Sequence, residues 1–275
     1  MRFLRTAFSS AIVVGLAACS LFTDFSGLDE PPAEVPDALA DSPAPTNDDA
    51  SSSDAGTRPD APSVSDTGAS SSCPEGSFCD DFDDGGMGDK WTALRLVQGN
   101  LAFDTTDFQS APRSLRSTVT GGNTDERTAS LHRSLPFTKG VRCTFQVRIN
   151  SDIESSDYID IFQVTAAAPP VNAYQLRLYF TGKTAAVRED FMLADGGCLC
   201  PKQESYFNPL PRKKWTKVVF ETDFEEARAY FDDALVFKAP YTGFVPTSMG
   251  VVVGIDTDDP LAWDVQYDDL RCDPL

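Results

Sequence analysis

The chain has one histidine in 275 residues, no Gly-x-Ser-x-Gly elbow and no glycine-rich phosphate loop. A Ser-His-Asp triad would have to use His132, which sits between Leu131 and Arg133 and reads as a strand residue. Zinc ligands are also short: Cys198-x-Cys200 has no second pair at the usual spacing. Basic residues number 23 against 42 acidic ones, for a net charge of −19. A nucleic-acid partner or an anionic lipid face needs a basic surface, so both are excluded as partners of this chain. Past the first twenty residues no apolar run reaches the roughly 20 residues a spanning helix needs. Internal repeats and long helical periodicity are missing too.

The N-terminus carries Arg2 and Arg5, an apolar run over Ala11–Leu16, and Leu16-Ala17-Ala18-Cys19. A basic start, a short apolar core and small residues make a secretory leader over residues 1–18. The last four residues resemble the lipobox of bacterial lipoproteins. That resemblance implies cleavage before Cys19, lipidation of its thiol and amine, and a membrane partner reached through the lipid, since several acyl chains anchor stably. Ser20 resembles the outer-membrane sorting type, implying a cell outer membrane location on its periplasmic or surface face. Residues 19–72 are rich in Asp, Ser, Pro and Ala, with Arg58 as their one basic residue. Such a composition buries too little apolar surface to offset ordering, and is expected to form a disordered acidic linker.

Residues 73–275 keep a net charge of −11 and suit one β-sandwich domain. Val141–Ile149 alternates cleanly between apolar and polar residues, the strongest strand signal in the chain. Arg127–Leu135, Tyr158–Val164, Tyr174–Phe180, Ala185–Asp190, Met249–Ile255 and Ala262–Cys272 read as further strands. The last loses its phase after Tyr267, which predicts a bulge at Asp268-Asp269. Asp195–Arg212 is expected to be a long loop. Trp215–Phe237 reads as a three-strand meander with a corner at Asp232-Asp233.

That meander, with Ser77–Asp83, Ser110–Ser117 and the closing Trp263–Arg271, resembles concanavalin A-like lectin/glucanase and laminin G-like (LamG) domains. The resemblance implies an all-β jelly-roll sandwich of two antiparallel sheets. It also implies a structural calcium where first and last strands meet, with Asp81, Asp83 and Asp268 as ligands; calcium is the one cofactor expected. With Cys19 lipidated, six cysteines remain for disulfides: Cys73, Cys79, Cys143, Cys198, Cys200 and Cys272. Cys79 or Cys143 is the preferred partner of Cys272. Sugar recognition needs flat aromatics beside planar polar groups, and Gln163, Gln175, Arg177, Tyr179, Tyr206 and Tyr241 supply them. Glu221-Thr222-Asp223-Phe224-Glu225 has the spacing of the family-16 glycoside hydrolase box, but Thr222 departs from it and Glu225 falls at a turn. The leading expectation is a non-catalytic surface module binding a glycan. Behind it stand a structural or protein-binding lipoprotein, with a cell-surface protein as partner, and last a glycoside hydrolase or polysaccharide lyase.

Overall fold

The structure, a computed structural model, describes residues 73–275 apart from 123–125, 154–157, 169–170, 194–196 and 241–244. The leader, Cys19, the linker and Tyr241 lie outside the described residues. Among the described residues there are fifteen strands and no helix. They are β1 (Phe78–Asp80), β2 (Ala93–Val97), β3 (Gly99–Asp104), β4 (Ser114–Val119), β5 (Arg127–Leu135), β6 (Val141–Ile149), β7 (Tyr158–Ala168) and β8 (Val171–Thr181). The rest are β9 (Ala185–Leu193), β10 (Cys198–Phe207), β11 (Thr216–Thr222), β12 (Glu226–Phe231), β13 (Ala234–Pro240), β14 (Ser248–Thr257) and β15 (Trp263–Pro274).

Two antiparallel sheets form a jelly-roll sandwich. One runs β13-β12-β11-β6-β15-β4-β3, with β1 added to β15. The other, of seven strands, runs β10-β9-β8-β7-β14-β5-β2. Alternation explains how they pack. Val141, Cys143, Phe145, Val147 and Ile149 of β6 are buried, as are Tyr174, Leu176, Leu178 and Phe180 of β8. The layers interlock through Phe162, whose ring lies 4.8 Å from Phe145 and 5.6 Å from Phe220.

Several local features follow from residue chemistry. Asp232 and Asp233 both have positive φ (47° and 66°), which makes the two-residue turn between Phe231 and Ala234 a primed hairpin turn. The extra residue at Asp268-Asp269 is present: β15 slips against β6 between Asp268 and Arg271, and Asp269 has φ 52°. Either side of it, β15 pairs with β4 and then with β1. Cys143 bonds to Cys272 across the β6–β15 pair, and Cys73, ahead of β1, bonds to Cys79 within it.

Three expectations are corrected. The stretch 195–212 is not one long loop: Cys198–Phe207 forms edge strand β10 against β9, with a register slip between Leu199 and Gln203 that its proline and cysteines conceal in the sequence. Strands β2 and β3, short and partly exposed, were not anticipated. The turn after β11 lies one residue earlier than Glu225-Glu226 suggests. It is centred on Phe224, which has φ 66° and is buried, while Asp223 accepts the amides of Glu225 and Glu226.

One irregularity lies under the polar face described below. Phe162 pairs with Leu178 and Val253, while Asp160 pairs with Tyr179 and Asp256. Between these two rungs β8 interposes no residue, β7 interposes Ile161, and β14 interposes Gly254 and Ile255. The strands fan apart and leave backbone carbonyls off the ladder. Tyr267, fully buried in the opposite sheet, places its hydroxyl 2.9 Å from the Ile161 carbonyl oxygen and 3.1 Å from that of Gly254. Gly254 has φ +129°, and a Cβ there would lie 2.6 Å from the Cα of Ser130. Gly254→Ala is therefore expected to cost about 2–4 kcal/mol through strain and clash, and Tyr267→Phe about 1–2 kcal/mol through unmet carbonyls. Urea unfolding midpoints would check both; an unchanged midpoint for Gly254→Ala is incompatible with this packing.

Candidate functional site

The outward face of the seven-stranded sheet collects most of the titratable side chains with unusual surroundings. On β8, the alternation that buries Leu176 and Leu178 turns Gln175, Arg177 and Tyr179 outward. On β7, Gln163 pairs with Arg177, and the extra residue Ile161 moves Asp160 onto the same side, opposite Tyr179. Without it, strict alternation from Phe162 would turn Asp160 into the core. On β9, Arg188 faces Arg177 and Asp190 faces Gln175. Glu204 and Tyr206 follow on β10, opposite Arg188 and Ala186. On the other flank, Val252 of β14 lies between Gln163 of β7 and His132 of β5, and Asp256 lies between Asp160 and Thr128. Of the six sugar-binding candidates, Gln163, Gln175, Arg177, Tyr179 and Tyr206 thus share one face; Tyr241 is outside the described residues.

Charges on this face are locked together. Arg177 donates to Asp160 Oδ2 at 2.9 Å and also to Asp190 Oδ2. Arg188 holds the two oxygens of Asp190 at 3.0 and 3.1 Å, and its guanidinium stands 5.9 Å from the centre of the Tyr158 ring. Asp160 is 3% exposed; its Oδ2 also accepts from the Gln163 amide at 3.4 Å, and its Oδ1 has no partner. Burial pushes the Asp160 carboxyl up against the opposing pull of Arg177. Asp256 forms no ion pair or hydrogen bond among the described residues. Burial, then the charges of Asp160 and Glu126, raise its pKa to about 6.

A row of tyrosines crosses the strands at the same end. The Tyr158 and Tyr179 rings are 5.2 Å apart, and Tyr179 and Tyr206 are 6.3 Å apart. Glu204 accepts both the Tyr179 and the Tyr206 hydroxyls. Burial raises the Tyr158 phenol pKa, and it holds Tyr179 protonated well above the ordinary phenol range. Tyr206 ends the row with 62% of its surface exposed, a flat ring open to a ligand. At the opposite flank, His132 Nε2 lies 3.1 Å from Ser130 Oγ, which lies 3.1 Å from Thr128 Oγ1. Burial, then Arg95, lowers the histidine pKa, so the ring stays neutral.

The other expected sites are not assembled. Among the described residues no group of three or more His, Cys, Asp or Glu side chains is placed to hold a metal ion. Asp268 is filled instead by the amides of Gln109, Ser110 and Asp269, while Asp83 accepts the Arg113 amide. The cation beside Asp81 is the Lys90 ammonium at 3.7 Å, which also meets Asp80 and Asp84. Glu221 is held by Arg228 at 2.9 Å and Arg142 at 3.5 Å on the other sheet, while Asp223 caps a turn. The residues that sequence reasoning passed over are Asp160, Asp190 and Arg188, and it did not place Asp256 or His132 on this face. Only the irregular alternation of Tyr158–Val164 could have signalled that Asp160 turns outward.

No protein-family model matches the chain, and no curated protein aligns with it. Among solved structures, endo-β-1,4-glucuronan lyase from the fungus Trichoderma reesei aligns with a TM-score of 0.56 at 15% identity, over 68% of this chain and 92% of that one. The cellulose induced protein Cip1 aligns with a TM-score of 0.53 at 15% identity, over 71% of this chain and 96% of that one. These likenesses establish the sandwich fold. They also correct the leading functional expectation: a structure that shares the fold across nearly its whole length is a polysaccharide lyase, and the non-catalytic reading is withdrawn.

The raised carboxyl gives a stability signature. Between the ordinary value of 3.8 and about 6, folded Asp256 keeps a proton that the unfolded chain has released. Stability must therefore fall as pH rises through that window, and the penalty is fully present above it. Asp268, also raised to about 6 by burial, adds to the same slope. Asp256→Asn removes only its own share. It should raise stability by about 2–3 kcal/mol at pH 8 and leave it nearly unchanged at pH 4, read from denaturant midpoints. An equal effect at both pH values would exclude a raised Asp256.

Proposed function

We propose that this domain is a polysaccharide-cleaving enzyme whose site is the outward face of the seven-stranded sheet. The observation that carries the reading is Asp256: a carboxyl on a face lined with aromatics and planar polar groups, with its pKa raised to about 6. Such a carboxyl is protonated at mildly acidic pH and can donate to the bridging oxygen of a glycosidic bond. Asp160, clamped by Arg177 and nearly inaccessible, does not reach the sugar; its charge helps keep the Asp256 proton in place. Asp258, exposed and two residues further on, is close enough to Tyr158 to act on its phenol electrostatically. It is assigned as the base that activates water from the solvent side. The tyrosine row ending at Tyr206 supplies stacking surface for adjacent sugar rings. One structural neighbour, the glucuronan lyase, acts on a polysaccharide, which supports this class of substrate.

The test is the release of new reducing ends by the full chain from a panel of polysaccharides, with Asp256→Asn alongside. Activity should decline above pH 6, and the variant should lose roughly 100-fold or more, the usual worth of a general acid. No cleavage across the panel, or an Asp256→Asn variant as active as the parent, would remove this assignment.

We also propose that Leu16-Ala17-Ala18-Cys19 directs lipid attachment at Cys19 and that residues 19–72 tether the domain to the outer membrane. The support is the sequence pattern and the acidic, proline-rich composition that follows it. Cys19→Ser should shift the protein, expressed in a bacterium that processes lipoproteins, from the detergent-extracted membrane fraction to the soluble one. Retention of the variant in the membrane fraction would count against the anchor.

A further inference from the structure

Arginines on a glycan-binding face ordinarily advertise an acidic polymer, because guanidinium matches carboxylate geometry. Here each arginine on the face is already spent. Arg177 is held between Asp160 and Asp190, Arg188 is on Asp190, and Arg95 on β2 is paired with Glu126 at 2.5 Å. Excess charge on the face is negative. Asp256, protonated at mildly acidic pH, adds a further negative charge only once it ionises above about pH 6, and the Oδ1 of the buried Asp160 is unpartnered. Glu204 carries its own charge beside the exposed Tyr206. A uronate or sulfate laid along the tyrosine row would approach Glu204 with every arginine described on the face already ion-paired. A neutral sugar can instead donate a hydroxyl to Glu204, accept from protonated Asp256 and stack its ring face on the tyrosines.

We propose, resting on the assignment of this face as the glycan site, that its substrate is an uncharged polysaccharide and that polyuronates and sulfated glycans are rejected. The rejection is built from like charge rather than from shape. The arginines serve to bury the carboxylates of Asp160 and Asp190, so their charge is already balanced within the face. The domain's overall net charge of −11 adds long-range repulsion of the same sign.

The experiment measures binding and cleavage by the full chain at low salt, where such repulsion is least screened. The panel comprises neutral polysaccharides, polyuronates, and the same polyuronates with their carboxyl groups reduced to alcohols. Neutral or carboxyl-reduced polymers should bind roughly tenfold or more tightly than the parent polyuronates, since like-charge contact is costly. Added salt should narrow the gap. Glu126→Gln, which frees Arg95, should strengthen polyuronate binding several-fold; it is read by binding rather than by cleavage, because the Glu126 charge also helps raise the Asp256 pKa. A parent polyuronate bound or cleaved as well as its reduced form overturns the substrate class and leaves the polysaccharide assignment standing. Failure to bind or cleave any polymer removes that assignment, and this inference with it.

Discussion

The arrangement of this domain depends on a hydroxyl that reaches from one sheet into a gap in the other. Tyr267 belongs to the sheet that carries the Cys143–Cys272 bond, yet its oxygen meets the carbonyls of Ile161 and Gly254 across the core. Those carbonyls are available only because β7 and β14 each carry more residues than β8 between the same two rungs. A buried carbonyl without a donor costs about 1–3 kcal/mol, so the fan and the tyrosine stabilise one another. The geometric consequence lies on the far side of the sheet. The extra residue turns Asp160 away from the core, and the next rung sets Asp256 against it.

From that point the chemistry follows by proximity. A carboxylate placed against another carboxylate in a shielded site cannot ionise freely, so one must be neutralised by a cation and the other must hold its proton. Arg177 meets Asp160 and Asp190; Asp256, without such a partner, keeps its proton to about pH 6. The polar face is therefore a balanced lattice with one group left poised to transfer a proton. That is a costly arrangement for stability, and the cost falls at the position assigned to function.

Much of the fold was legible in the sequence because period-two alternation is a local signal. The bounds of β5 and β6 were readable, as was the outward set Gln175, Arg177 and Tyr179. The bulge at Asp268-Asp269 could be deduced from a lost phase. The rest depended on pairings that no local pattern encodes. Asp160 and Asp256 are 96 residues apart in the chain and meet only through the β7–β14 register. β10 was hidden by the proline and cysteines at its start. His132 was read correctly as a strand residue, but its place beside Val252 on the polar face required the order of β5, β14 and β7. The calcium expectation came with the family resemblance; among the described residues Asp268 accepts backbone amides and Asp81 lies beside Lys90.

The central claim is that the fold holds a proton on Asp256. The direct measurement is an NMR titration of the Asp256 side-chain carboxyl carbon in the folded protein. A midpoint near 6 is predicted; a midpoint at the ordinary aspartate value, near 4, would contradict the account.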